Sequence, residues 1–270
     1  MHVSAVRFTG LLVLSILFLT ACSIGQHQDS APHDEINVAN IPDAVPRPEP
    51  RSAGGNPDSY SVLGRTYKVM SSHQGYVEKG IASWYGTKFH GRTTSNGEIY
   101  SMYKMTAAHT RLPLPSYVQV TNLENGKSII VRVNDRGPFH PNRIIDLSYV
   151  AAKKLGIASK GTGLVEVRSI DPHTWDGSHE PRPRSAARAA VHGSNTLFIQ
   201  AGAFSSRQNA EQLQQQLRAL MPSRSVQLAF ADTDRLYRVR IGPLQTVDEA
   251  DRLAEVISNN GYPTPYVVIE

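Results

Sequence analysis

The last 75 residues of the chain repeat themselves, and that repeat fixes their architecture more tightly than any other feature. At an offset of 40 residues, Ile199-Gln-Ala-Gly-Ala-Phe204 aligns with Val239-Arg-Ile-Gly-Pro-Leu244, and Ala210, Leu213 and Leu217 align with Ala250, Leu253 and Ile257. Each copy reads as a strand, a glycine turn and an amphipathic helix. Thr246-Val-Asp-Glu249 is a capping box for the second helix, and Ser206-Arg-Gln-Asn209 is its weaker counterpart. Further strands fit Val226 to Ala229 and Tyr266 to Ile269. Two βαβ-type units of this kind form one α+β domain, a single sheet with both helices on one face. Strand alternation then sorts the side chains. Ile199, Ala201, Val239 and Ile241 belong under the helices, leaving Phe198, Gln200, Arg238 and Arg240 on the open face. Amide and guanidinium groups on a flat sheet suit sugar hydroxyls and N-acetyl carbonyls. A merely solvated face is the plainer alternative for all but Phe198, whose ring needs cover or a ligand.

Tyr76 to Ile170 has a different grain. Short β-like runs recur at Ile81–Tyr85, Tyr117–Thr121, Ser128–Val133 and Leu164–Arg168, and Asn125-Gly126 between two of them is a strong hairpin signal. One helix is expected, with Ser148 as N-cap and Gly156 as its stop. A β domain of this size removes its open edges by closing into a barrel. The stretch carries 13 Lys/Arg against 6 Asp/Glu, whereas residues 196–270 carry 7 against 8. A basic domain suits an anionic polymer. Around the barrel, residues 22–75 are rich in Pro, Ser, Gly and Asn and read as a flexible tether, and residues 172–194 read as a second linker.

The N-terminus supplies the compartment. Met1 to Phe8 has one Arg and no acid, an apolar run follows to Leu19, and small residues precede Cys22. This is a secretory signal peptide over residues 1–21, too short for a membrane span of about 20 apolar residues. Export excludes nucleic acid as a partner. Cys22 is the only cysteine, so no intramolecular disulfide is available and the cores must be hydrophobic.

Leu19-Thr-Ala-Cys22 resembles the lipobox of bacterial lipoproteins, which implies lipidation of Cys22, a membrane anchor and, with Ser23 following, sorting to the outer membrane. The middle domain resembles the double-psi β-barrel of the rare lipoprotein A family of septal lytic transglycosylases. The match runs through Gly80-Ile-Ala-Ser-Trp-Tyr-Gly-Thr-Lys-Phe-His-Gly91, Thr94-Ser-Asn-Gly-Glu98, Met105-Thr-Ala-Ala-His109, Arg132-Val-Asn-Asp-Arg-Gly-Pro-Phe139 and Ile144-Ile-Asp-Leu-Ser148. The C-terminal repeat resembles a SPOR domain. Together they imply a six-stranded double-psi barrel at residues 76–171 and a SPOR domain at 195–270. The implied activity is cleavage of the MurNAc–GlcNAc β-1,4 bond in peptide-poor strands, leaving 1,6-anhydro ends at the division septum. Peptidoglycan strands, the membrane and division-site proteins are the implied partners, and no cofactor is implied.

The chemistry constrains the site. Glycoside hydrolysis uses two carboxyl groups, but a transglycosylase needs fewer, because the muramic acid C6 hydroxyl attacks its own anomeric carbon. Asp135, at a strand end entering a Gly-Pro turn, is the candidate proton carrier, and the resemblance groups it with Glu98 and His109. Glu98 is expected to raise the Asp135 pKa by proximity, and His109 to hydrogen-bond a carboxylate or a sugar hydroxyl. On residue type alone, Asp135 also suits turn capping, Glu98 a solvated loop and His109 a barrel interior. Trp84 and Tyr85 are candidates for stacking on sugars, with alternation sending one of the pair into the core. Arg132 and Arg136 are candidates for holding substrate carboxylates. Asp146 reads as structural. The histidines show no metal-ligand spacing, so no metal is expected. A non-catalytic glycan-binding scaffold and an inverting hydrolase using Glu98 and Asp135 remain as alternatives.

Overall fold

The computed structural model describes residues 29–177 and 196–270. The expected signal peptide, Cys22 and most of the expected 172–194 linker lie outside the described residues.

The Pro-rich stretch before the barrel departs from the tether expected at residues 22–75. From Asp43 onward it lies against the barrel as a strap, contact by contact. The Asp43 carboxylate accepts the Ile130 N–H at 2.9 Å and pairs with Lys154. Ser52 donates its backbone N–H to the Leu114 carbonyl, and the Asn56 side chain closes a two-way pair with the Leu114 backbone, both bonds 2.8 Å. A hairpin follows, β1 (Ser59–Val62) and β2 (Arg65–Lys68), whose Tyr60 and Tyr67 rings stack at 5.3 Å and meet Phe139. The composition misleads for a physical reason. A strap has no periodic apolar face, and it is fixed by polar groups that complete unpaired barrel backbone, a pattern that resembles disorder in sequence.

The barrel consists of β3 (Val77–Tyr85), β4 (Thr106–His109), β5 (Ser116–Asn122), β6 (Ser128–Asp135), β7 (Arg143–Ser148) and β8 (Gly163–Ile170), closed in the order β3-β7-β4-β6-β5-β8. The β3/β7 and β4/β6 pairs are parallel and the other four antiparallel. Val118, Val120, Ile129, Val131, Val133, Ile145, Leu147, Val165 and Val167 fill the interior. Each such side chain contributes roughly 1.5–3 kcal/mol on burial, so the barrel has no need of a disulfide. The hairpin expected at Asn125-Gly126 is present, with Gly126 at φ +73°. Helix α1 (Tyr149–Leu155) is capped by the Ser148 hydroxyl and stopped by a left-handed Gly156, as its sequence requires.

The C-terminal domain runs β9 (Leu197–Phe204), α2 (Arg207–Leu220), β10 (Val226–Ala231), β11 (Leu236–Leu244), α3 (Val247–Asn259) and β12 (Tyr266–Ile269). The sheet order is β10-β11-β9-β12, all antiparallel. The two repeats therefore interlock, the first strand of each lying between the two strands of the other or at their border, which is the split βαβ pattern. Ile199, Val239 and Ile241 pack with Ala210, Leu217, Ala250, Leu253 and Ile257 from the helices, on the face expected from alternation.

Candidate active site and glycan face

Asp135 ends β6 and presents an asymmetric carboxylate. Its Oδ1 accepts three hydrogen bonds, from the Ser95 N–H at 2.7 Å, the Ser95 hydroxyl at 2.6 Å and the Arg136 N–H at 2.7 Å. Its Oδ2 carries no hydrogen bond among the described residues. One oxygen is thus held and the other left open. Ser95 comes from the loop between β3 and β4, so the Thr94-Ser-Asn-Gly stretch orients the carboxylate.

The other two members of the expected trio stand beside Asp135 without touching it: no hydrogen bond joins any two of Asp135, Glu98 and His109. Glu98 accepts both oxygens' worth of bonds from Arg132 Nη1 at 2.8 and 2.9 Å, from Asn134 at 2.9 Å and from Asn96 at 2.8 Å. Burial opposes its charge, yet the Asn134, Asn96 and Arg132 bonds together hold its carboxyl below the usual value. Arg132 is itself held on its far side by Glu49 of the strap, through Nε at 2.9 Å and Nη2 at 2.8 Å. That bidentate pair with Arg132 is the main reason Glu49 is drawn down to about 2, against the cost of its burial. Glu98, Tyr103, Lys104, Tyr117 and Arg132 line one side of a groove whose other wall is the strap at Asp43, Arg47 and Glu49.

His109 is 1% exposed. Its Nδ1 accepts the N–H groups of Arg111 and Leu112 at 3.0 and 2.9 Å, which leaves the proton on Nε2, 2.8 Å from the Tyr76 hydroxyl. Tyr76 in turn donates to Glu78 at 2.8 Å. Burial, reinforced by the charges of Arg111 and Arg136, lowers the imidazole to about 3, so it is neutral. Of the two expected roles, the bond to a carboxylate of the trio is not present, because Nδ1 caps the 109–112 turn and Nε2 meets Tyr76.

Several expected sugar contacts are consumed by the fold. Tyr85 is 7% exposed and stacks on Tyr100 at 4.0 Å. Trp84 packs edge-on against Tyr149 at 5.3 Å, over the barrel core. Arg132 is shared between two carboxylates, as above. Arg136 donates to the carbonyls of Gly55, His109 and Leu112 and to the Asn56 side chain, and burial lowers it to about 10. It clamps strap to barrel. Tyr85, Arg132 and Arg136 offer no free face or free donor set to a glycan, and Trp84 remains partly exposed. Phe89 and Tyr103 do, at 39% and 44% exposure on the loop that also carries Ser95 and Glu98.

Asp135 also belongs to a row that crosses four strands. Ala108 on β4 is the register partner of Asp135 on one side and of Asp146 on the other, and Asp146 is in turn the partner of Ser83 on β3. The Ser83 hydroxyl donates to Asp146 Oδ1. Burial pushes the Asp146 carboxyl up, with the Ser83 bond and the charges of Arg143 and His140 pulling it back.

In the C-terminal sheet a second row crosses all four strands: Gln227, Arg240, Gln200 and Tyr266. Gln200 faces away from the helices as expected, but it is 1% exposed. Its amide donates to the Tyr266 hydroxyl, and its carbonyl meets Arg240 Nε at 3.5 Å. Arg240 also pairs with Glu270, and Arg238 with Asp234. Phe198 is 9% exposed, and Gly242 lies so close over its ring that a Cβ there would meet Phe198 Cδ1 at 2.6 Å. The side chains that the row presents outward are Gln227 and Tyr266, the latter at 53% exposure.

Comparison with known proteins agrees with both halves. Residues 77–167 match the family described as lytic transglycolase, and residues 193–269 match the SPOR domain family. The endolytic peptidoglycan transglycosylase RlpA of Vibrio cholerae is 42% identical over 95% of this chain and 95% of its own length. Its namesake in Pseudomonas aeruginosa is 41% identical over 88% of this chain and 84% of its own, and that of Neisseria meningitidis 40% identical over 88% and 92%. The chain belongs to the RlpA family of endolytic peptidoglycan transglycosylases. Its barrel is the double-psi barrel of that family, followed by a SPOR domain that binds peptidoglycan.

Three residues of this RlpA-family chain escaped the sequence reading. Ser95 lies within the Thr94–Glu98 motif, yet its spacing of 40 residues from Asp135 carries no signal. Glu49 lay in a stretch read as tether. Tyr266 was assigned to a strand, and only its pairing with Gln200 shows that it shares the open face.

Proposed function

We propose that this chain cleaves the MurNAc–GlcNAc β-1,4 bond of peptide-poor strands by lytic transglycosylation, leaving 1,6-anhydroMurNAc ends. The observation that carries the reading is the Asp135 carboxylate, with Oδ1 fixed by Ser95 and Arg136 and Oδ2 open. The bond from muramic C1 to the leaving O4 breaks as a proton reaches O4. The C6 hydroxyl oxygen of the same muramic acid bonds to C1 and gives up its proton. No water is consumed, so one fixed carboxyl group beside the bond can serve both transfers. Glu98 acts as a brace: with Arg132 and Asn134 it holds the Ser95 loop against β6. His109 acts at one remove, because its carbonyl is one of the acceptors that hold Arg136, whose N–H fixes Asp135.

The SPOR domain concentrates the enzyme on glycan at the division septum, with Tyr266 and Arg240 as the contact side chains. Lipidation at Cys22 anchors the chain in the outer membrane, facing the periplasm. The domain limits that go with this reading are a signal peptide over 1–21, a barrel unit through 171 and a SPOR unit from 195.

The deciding experiment incubates lipid-free protein with peptide-stripped glycan and determines product masses. Anhydro ends are expected. Reducing ends indicate a hydrolase, and uncut strands would end the reading. For the anchor, Cys22→Ser is expected to remove the protein from the outer-membrane fraction, and a variant that still sorts to the outer membrane would refute lipidation.

A further inference from the structure

We propose that Asp146 is a second catalytic carboxyl group, the one that protonates the leaving O4, with Asp135 receiving the proton of the attacking C6 hydroxyl; this rests on the transglycosylase reading above. The argument starts from the four-strand row. Side chains at register-paired positions of neighbouring strands point to the same face, and adjacent strands are about 4.8 Å apart. Asp135 and Asp146 therefore flank Ala108 on one face, their Cα atoms about 10 Å apart. Along that row the side chain between them is the Ala108 methyl. Above the gap sits Gly137, where a Cβ would lie 3.6 Å from Ala108 Cβ and 3.7 Å from Asp146 Oδ2. The two carboxyl groups thus flank the Ala108 position on one face of the barrel, as a pair working on one glycosidic bond must.

Their surroundings divide the labour. Asp146 Oδ1 is held by Ser83, and Oδ2 has no hydrogen bond among the described residues. Each carboxyl therefore has one oxygen anchored and one without a hydrogen bond among the described residues. The groups around Asp146 are Ser83 on β3, Arg143 at the start of β7, His140 just before it, and Asp29 ahead of the strap. The arginine and histidine favour its charged form, Asp29 and burial the neutral form, and burial is the largest of these. The buried phenols of Tyr85 and Tyr100 sense the charge of both aspartates. A desolvated carboxyl whose charged form burial disfavours, beside a fixed, hydrogen-bonded one, is the arrangement by which an active site separates an acid from a base. Protons balance: Asp146 gives one to O4, Asp135 takes one from the C6 hydroxyl, and solvent returns the difference between turnovers.

The test compares two substrates. One is natural peptide-free glycan, and the other is a strand ending in MurNAc with a dinitrophenyl aglycone, whose departure needs no proton. Asp146→Asn is expected to cut glycan about 100-fold or more slowly, while retaining release of dinitrophenol within a few-fold. Asp135→Asn is expected to lose both. An Asp146→Asn protein that cuts natural glycan within threefold of the parent overturns the proposal, as does one that is folded and binds glycan but loses both substrates equally. If Asp146→Asn fails to fold, Ser83→Ala decides. Removing that hydrogen bond is expected to move the alkaline limb of glycan cleavage to higher pH and leave the dinitrophenyl substrate's profile in place. An unmoved limb would refute the assignment. Parent protein that yields no anhydro ends sinks the transglycosylase reading itself, an outcome visible before any variant is made.

Discussion

Each domain carries one row of side chains across four neighbouring strands, and the two rows differ in what the fold leaves unsatisfied. In the barrel, Asp135, Ala108, Asp146 and Ser83 form an acidic row with two anchored carboxyls, each with one oxygen free of protein partners. In the SPOR sheet, Gln227, Arg240, Gln200 and Tyr266 form a neutral-to-cationic row in which Gln200 is buried and already bonded to both neighbours. A reacting group must keep a free oxygen for a proton, whereas a binding surface can have its polar groups ordered beforehand and present a ring and a charge. The same geometric device serves chemistry in one place and recognition in the other.

The largest effect should come from the acidic row. Asp135→Asn keeps the shape and can still accept from Ser95, but it cannot carry a proton. Glycan cleavage is expected to fall about 100-fold or more, and pull-down by peptide-free glycan should be unchanged because the SPOR row is untouched. A variant that lost both together would show that the rows do not act separately.

Next in size is the brace. Arg132→Met removes the cation shared by Glu49 and Glu98, leaving two carboxylates facing one another, and should cost about 3 kcal/mol of barrel stability. Both tryptophans, Trp84 and Trp175, lie outside residues 196–270, so denaturation followed by tryptophan fluorescence reports the barrel. A midpoint unchanged within error would mean the strap adds nothing.

How much of this could be read in advance depended on whether a residue's partner was local. The α1 cap at Ser148, its stop at Gly156 and the Asn125-Gly126 turn depend on neighbours within a few positions, and all are where the sequence puts them. The repeat at an offset of 40 gave the face of Ile199 and Val239 correctly. It could not give the exposure of Gln200, which depends on a Tyr266 that sits 66 positions away. Arg132 and Arg136 looked like free cations because their partners, Glu49, Gly55 and Asn56, lie in a stretch whose composition resembles a linker. His109 was found as a site residue by motif, but its neutrality follows from two backbone N–H groups and its burial, neither of which has a sequence signature.

Acid should separate the domains further. His109 has its imidazole depressed from 6.5 to about 3 in the folded barrel, so below pH 6.5 the unfolded chain takes up a proton that the folded one refuses. Glu49, depressed from 4.5 to about 2, adds stability that is complete above 4.5 and is lost as the pH falls towards 2. Barrel stability is therefore expected to decline from about pH 6.5 and more steeply below 4.5. Glu49→Gln should shrink the part below 4.5, which Glu98 shares, and leave the part between 6.5 and 4.5 in place, as followed by fluorescence melts from pH 7 to 3. A parent barrel equally stable at pH 7 and pH 4 would contradict both assignments.

The smallest effect should fall on the SPOR row, and it discriminates between a solvated face and a binding one. Tyr266 is exposed on β12 with its hydroxyl held by Gln200, so its ring is oriented before any ligand arrives. Tyr266→Ala should weaken binding to peptide-free glycan by about 1–2 kcal/mol, roughly 5- to 30-fold, without altering cleavage of saturating short glycans. Gln200→Ala should have a similar effect by a different route. It removes no exposed group but frees Tyr266 and Arg240 to wander, so its loss should appear as an entropic penalty in calorimetry, with the binding enthalpy nearly intact. If Tyr266→Ala bound as the parent does while Arg240→Ala did not, the ring would be incidental and the row would act through charge, with a salt dependence to match.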